Sequence, residues 1–79
     1  MIQTMEDYKV RFIKEFKELD ERLLKLGAML RRYDNGTLEF TPTCPIYMLR
    51  KQYVIMDMYR KILKERAEIE KIDLSVSLK

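Results

Sequence analysis

The chain has 79 residues, with 16 Lys and Arg, 13 Asp and Glu, a net charge of +3 and no histidine. One cysteine, Cys44, excludes an intrachain disulfide, and the lack of histidine excludes the usual Cys/His zinc site and any His-based dyad. No run of about 18 apolar residues is present to span a membrane, and the mild basicity does not by itself call for nucleic acid.

In chain order, Thr4 is placed to cap a first helix, with Asp7 three residues later and Glu6 at the positive end of the dipole. The helix is predicted over about 5–33. Phe12, Leu19, Leu26 and Tyr33 recur every seven residues, and Phe16, Leu23 and Leu30 form the second track, together the a/d seam of a long helix. Val10, Ile13 and Leu24 widen this stripe. The charged residues fall away from it, and Glu18 to Arg22 and Glu21 to Lys25 have the favourable i,i+4 order. Asp34, Asn35 and Gly36 end the helix, because Gly or Asn readily takes the left-handed conformation of a helix C-terminus.

A loop follows over about 34–44. Leu38 and Phe40 alternate with polar residues in Thr37 to Thr41, which is expected to tuck both side chains over the end of the structure. Thr43 is a candidate cap for a second helix over about 45–72, with Pro45 in its first turn where no donor is needed. Here Met48, Ile55, Ile62 and Ile69 form one heptad track, and Leu49, Met56 and Leu63 its neighbour.

Antiparallel pairing along the first track sets Phe16 near Ile62, Leu23 near Ile55 and Leu30 near Met48. Gln52, Tyr59 and Arg66 share a track beside that seam, where they either specify register and oligomeric state or reach solvent from the stripe's edge. Arg66 can lay its stem over Phe12 with its head toward Glu15 or Glu70. The tail over 73–79 contains Leu74-Ser75-Val76-Ser77-Leu78, an alternation that suits a short strand or a frayed end.

The expected fold is a single domain, 1–79: an all-α antiparallel two-helix hairpin, coiled-coil-like, that assembles into a homo-oligomeric helical bundle. Below about 70–80 residues one core supplies only about 3–5 kcal/mol. Tyr47, Tyr53, Val54 and Met58 add apolar surface beyond what one hairpin covers, so a homodimer or higher homo-oligomer is expected.

No catalytic constellation is visible. Gly27 and Gly36 stand apart and form no phosphate loop, and Glu65 and Glu68 lie on a charged helix face. The expectation is a non-enzyme without cofactor or metal. Arg31 and Arg32 close the first helix and Arg50 and Lys51 open the second, so the hairpin brings them to one end with Tyr33, Phe40, Tyr47 and Tyr53. These cations either complement the first helix's dipole or, with the N-terminus of the second helix, hold an anion.

The spacing Tyr8-x2-Arg11-x3-Glu15-x3-Leu19-x2-Arg22-x3-Leu26, followed by Leu49-x2-Gln52-x3-Met56-x2-Tyr59-x3-Leu63-x2-Arg66, resembles a family of small helical-hairpin proteins of tailed phages, including crAss-like phages. The likeness covers both helices and implies a phage origin; the single unpaired cysteine suits a reducing compartment and no N-terminal secretion-signal pattern is visible, so the host bacterial cytosol is the expected location. In architecture the chain is also similar to the oligomeric anti-CBASS and anti-Thoeris sponges, which sequester cyclic-nucleotide immune signals. The basic and aromatic turn end, taken with the expected assembly, points to a non-enzymatic phage accessory protein that binds a small anionic nucleotide between protomers and blunts host defence, with Arg31, Arg32, Arg50 and Lys51 on phosphates and Tyr47 and Tyr53 on bases. The alternative is a helical module that docks on a host or phage protein such as a defence protein, and the third is nucleic-acid binding.

Overall fold

The computed structural model describes residues 5–76, with side chains described from Asp7 onward. Two helices, α1 (Met5–Asn35) and α2 (Ile46–Glu70), pack side by side in a body measuring 51 × 24 × 21 Å. They run antiparallel. Tyr8 near the start of α1 bonds Glu70 at the end of α2, whereas Asp34 at the end of α1 bonds Arg50 in the first turns of α2. Thr4, Ser77 and Leu78, which carried the expected first cap and the end of the alternating tail, lie outside the described residues, as does the side chain of Glu6. No helix of the described residues is long and apolar enough to cross a membrane.

Each helix stops where its backbone turns left-handed. At the end of α1, Gly36 has φ +74°, and the N–H of Thr37 reaches back to the Arg32 carbonyl at 2.8 Å. At the end of α2, Lys71 takes φ 58° and the N–H of Ile72 donates to the Ala67 carbonyl at 2.8 Å. Both are Schellman closures, which satisfy carbonyls that the helix itself cannot. The second also turns the chain inward, so that Ile72 is buried and Leu74 packs on the same cluster. Asp73 fixes the bend by accepting from the Ser75 N–H at 2.9 Å and the Ser75 hydroxyl at 2.6 Å.

The start of α2 differs from expectation. Its cap is Pro45, with φ −57° and ψ 144°, and no side chain bonds the cap position, so Thr43 does not play that part. The Pro45 carbonyl instead accepts from the N–H groups of Met48 and Leu49. Proline's fixed φ already sets the chain for helical entry and leaves a side-chain cap unnecessary.

The core sits toward the end where α1 begins and α2 ends. Phe12, Ile13, Leu19, Leu63, Ala67 and Ile72 form one buried cluster, with Tyr8, Phe16 and Met56 against it, and Leu63 is 1% exposed. The first stripe holds largely as read, with Leu23 and Leu30 also buried, but Tyr33 at its end stays exposed.

The second seam is corrected. Met48, Ile55, Ile62 and Ile69, expected to face α1, are 41%, 59%, 52% and 79% exposed. The expected pairings of Phe16 with Ile62, Leu23 with Ile55 and Leu30 with Met48 therefore do not form the core. The neighbouring track through Leu49, Met56 and Leu63 turns inward instead, together with Tyr53, Arg60 and Ala67. The two tracks lie one residue apart, a rotation of about 100°, and both are apolar, so periodicity alone ranks them equally. Shape separates them. Ala67 lets the helices approach and leaves room for Ile72, and this rotation also points Arg60 at Asp20 of α1, at 3.4 Å.

The loop is corrected at one residue. Leu38 is half-buried, but Phe40 is 58% exposed and does not tuck over the hairpin.

Candidate functional site

Polar contacts between the helices differ along the hairpin. At the end where α1 begins and α2 ends, Arg66 lies over the Phe12 ring at 4.9 Å from its centroid and donates from Nε to Glu70 at 3.0 Å. Tyr8 donates its hydroxyl to the other Glu70 oxygen at 2.6 Å and accepts from Arg66 at 2.5 Å. The Tyr8 hydroxyl and the Arg66 guanidinium hold the Glu70 carboxyl below the usual carboxylate range, and the same carboxylate pushes the Tyr8 phenol upward. Tyr59 donates to Glu15 across the helices, which likewise raises its phenol. Tyr59 and Arg66 thus tie α2 to α1, while Gln52 is exposed.

Near the loop the helices enclose a groove of about 330 Å³ lined by Gly27, Leu30, Arg31, Asp34, Arg50, Tyr53 and Val54. Gly27 makes the groove's floor. A Cβ at this position would come within 2.9 Å of the Tyr53 Cε2 atom, so the absence of a side chain lets the Tyr53 ring lie against the α1 backbone. Glycine inside a helix costs about 1 kcal/mol relative to alanine, and here that cost accompanies a close aromatic approach. One turn on from Gly27, Arg31 brings its Nη1 to 3.6 Å from the same point.

Arg50 closes the groove's end. Its guanidinium grips Asp34 as a fork, Nη1 to Oδ2 at 3.2 Å and Nη2 to Oδ1 at 2.5 Å. This bidentate bond lowers the Asp34 carboxyl and raises the Arg50 guanidinium, each through the other. The rim therefore carries Arg50, already engaged by a carboxylate, and Arg31 from the facing helix, with the Tyr53 ring lining the same groove.

Of the residues singled out from sequence, the structure brings Arg31, Arg50 and Tyr53 into this one groove. Arg32 lies elsewhere, in a wider depression of about 470 Å³ with Thr37, Leu38, Glu39 and Phe40. Tyr47 and Lys51 are exposed on α2 and line neither space. Gly27, Leu30 and Val54 were not expected as walls. Gly27 carried a readable signal, since a glycine in the middle of a strong heptad pattern marks a close approach of some neighbour.

Among the described residues, no three His, Cys, Asp or Glu side chains are placed to hold a metal ion. No curated protein and no solved structure matches the chain. The Sequestin family model matches residues 6–69, a span that takes in nearly all of both helices, the loop and every residue lining the groove, and the chain belongs to the Sequestin family.

Proposed function

We propose that this chain is a non-enzymatic phage accessory protein that works as a homo-oligomer, binding a cyclic or other small nucleotide immune signal and withholding it from bacterial anti-phage defence. The observation that carries this reading is the family match over residues 6–69, because the family's name denotes sequestration. The groove offers chemistry suited to the task. Arg31 and Arg50 would engage phosphate oxygens while the Tyr53 ring, held at Gly27, would stack on a base.

Sequestration asks for binding without turnover. A groove with fixed cations and an aromatic wall meets that need, since nothing in the role calls for a general base or nucleophile. Asp34 tempers the attraction by occupying Arg50, so an incoming phosphate must compete with a carboxylate already in place. Arg32 and Lys51 would contribute to the field around the groove rather than to its contacts, and Tyr47 would stand outside it.

Native mass spectrometry of the full chain, alone and with a panel of cyclic and linear nucleotides, tests the reading. The expected result is a discrete homo-oligomer that gains whole-number nucleotide masses, with the gain lost in Arg31→Glu. A homo-oligomer blind to every nucleotide would overturn it. The second reading, a module that docks on a host or phage protein, draws on the exposure of Val54 and Met58, at 55% and 58%. It fails if a homo-oligomer covers that surface.

A further inference from the structure

The rotation of α2 that buries Leu63 and Ala67 leaves a second heptad seam facing outward. Met48, Ile55, Ile62 and Ile69 occupy one position of this repeat, and Lys51, Met58 and Glu65 occupy the position three residues further on. All seven are exposed, Ile69 at 79%. We propose that this outer face of α2 docks on the same face of a second copy of the chain, with the two α2 helices antiparallel. The inference deepens the homo-oligomer in the proposed function and rests on that part of it, but not on the nucleotide.

Charge selects both the partner and the direction. A parallel pair would set Lys51 against the partner's Lys51 and Glu65 against the partner's Glu65, like charges that repel across the seam. An antiparallel pair exchanges them. Lys51 then meets the partner's Glu65 at both ends, and Met58 lies beside the two-fold axis. Ile55 packs near the partner's Ile62 and Met48 near the partner's Ile69. A stripe that is complementary to its own reverse is what an isologous interface requires.

Area supports the same partner. With Tyr47 and Val54 at the margin of the stripe, 64% and 55% exposed, the exposed apolar side chains of this face amount to roughly 800 Å², about what each partner of a standard stable interface buries. Tyr59 and Arg66 border the stripe on its other side, and their polar ends are already engaged by Glu15, Tyr8 and Glu70. They form a fixed rim rather than competing for the seam. The product is a four-helix bundle in which each hairpin's own core lies on one side of α2 and the shared core on the other.

Sedimentation and light scattering on the full chain, with helicity followed by circular dichroism, test the interface. Wild type is expected to be a dimer, or a larger oligomer built from this dimer, and Ile55→Glu with Ile62→Glu is expected to give a helical monomer. Leu24→Glu, on an α1 leucine that is 65% exposed, is expected to leave the assembly intact. Lys51→Glu and Glu65→Lys should each weaken dimerisation severalfold, and the double reversal should restore it.

An oligomer that survives Ile55→Glu with Ile62→Glu overturns this interface while leaving the homo-oligomer reading standing. A wild-type chain that is monomeric at every concentration overturns both. Additive charge reversals, with no rescue in the double variant, overturn the antiparallel direction. Nucleotide binding by the monomeric variant separates the two proposals, because the ligand reading then holds without the interface.

Discussion

The two ends of the hairpin are built from the same two helices but to different plans. Where α1 begins and α2 ends, Phe12, Ile13, Leu19, Leu63, Ala67 and Ile72 close on one another, and Ile72 with Leu74 adds a third layer over the helix pair. Toward the loop no such layer exists. Leu23 and Leu30 are buried from α1, but the side chain that meets α1 at Gly27 is a tyrosine, and the last bridge is the exposed fork between Arg50 and Asp34. One end therefore supplies stability and the other supplies a groove, because a third layer converts facing stripes into a core whereas two bare helices leave a furrow between them.

Truncation at the packed end should have the largest effect. Leu63→Ala removes the most buried side chain, and buried leucine truncations cost about 2–5 kcal/mol. Urea unfolding followed by circular dichroism should show it as a lower midpoint. A loss no greater than that from truncating an exposed residue such as Leu24 would mean the core is not where the described packing puts it.

At the loop end the expected effects fall on binding more than on folding. Asp34→Asn frees Arg50 from its carboxylate and should raise affinity for a bound nucleotide severalfold, with little change in melting temperature because the pair is exposed. Calorimetric titration with a nucleotide found to bind the wild type checks it. Unchanged affinity would separate Arg50 from the ligand.

Gly27→Ala is subtler. Helix propensity favours alanine by about 1 kcal/mol, and the atom in the way is the far edge of a tyrosine ring that can swing aside. Stability should stay within about 1 kcal/mol of wild type, while the Tyr53 ring resonances move and nucleotide binding weakens. An unmoved ring would remove Gly27 from the account of the groove.

The smallest effect is the pH dependence. The carboxyls of Asp34, Asp57, Glu70 and Asp73 are held low, respectively by Arg50, by Lys61 with Arg60, by Tyr8 with Arg66, and by Ser75. Between their folded values and the usual value of about 4 the unfolded chain binds more protons, so stability rises with pH through that window. Their contribution is complete above about pH 5 and is lost as pH falls through the folded values. Melting temperatures from pH 6 downward should fall only below about pH 4.5, and a decline beginning near neutrality would require another titrating group.

Much of the fold could be read directly from residue spacing. The heptads fixed two helices, and the Asn35-Gly36 pair ended the first. The candidate groove was legible in part: Arg31, Arg50 and Tyr53 were recognisable as cations and an aromatic at one end. Their separation from Arg32, Tyr47 and Lys51 was not, because residues adjacent in sequence point about 100° apart around a helix. The capping role of Thr43 and the tucking of Phe40 also failed, since loop side chains answer to packing that no short motif encodes.

What the sequence by itself determined is the hairpin, because apolar periodicity and chain-breaking residues act locally and each helix reports its own stripe. Which stripe of α2 turns inward was decided only by tertiary structure. Two apolar tracks one residue apart carry the same periodic signal, and the choice fell to contacts made across the chain. Ala67 permits close approach, Ile72 returns to fill the space, and Arg60 finds Asp20 on the opposite helix. That choice also left the isoleucines on the outside, where a second copy can reach them.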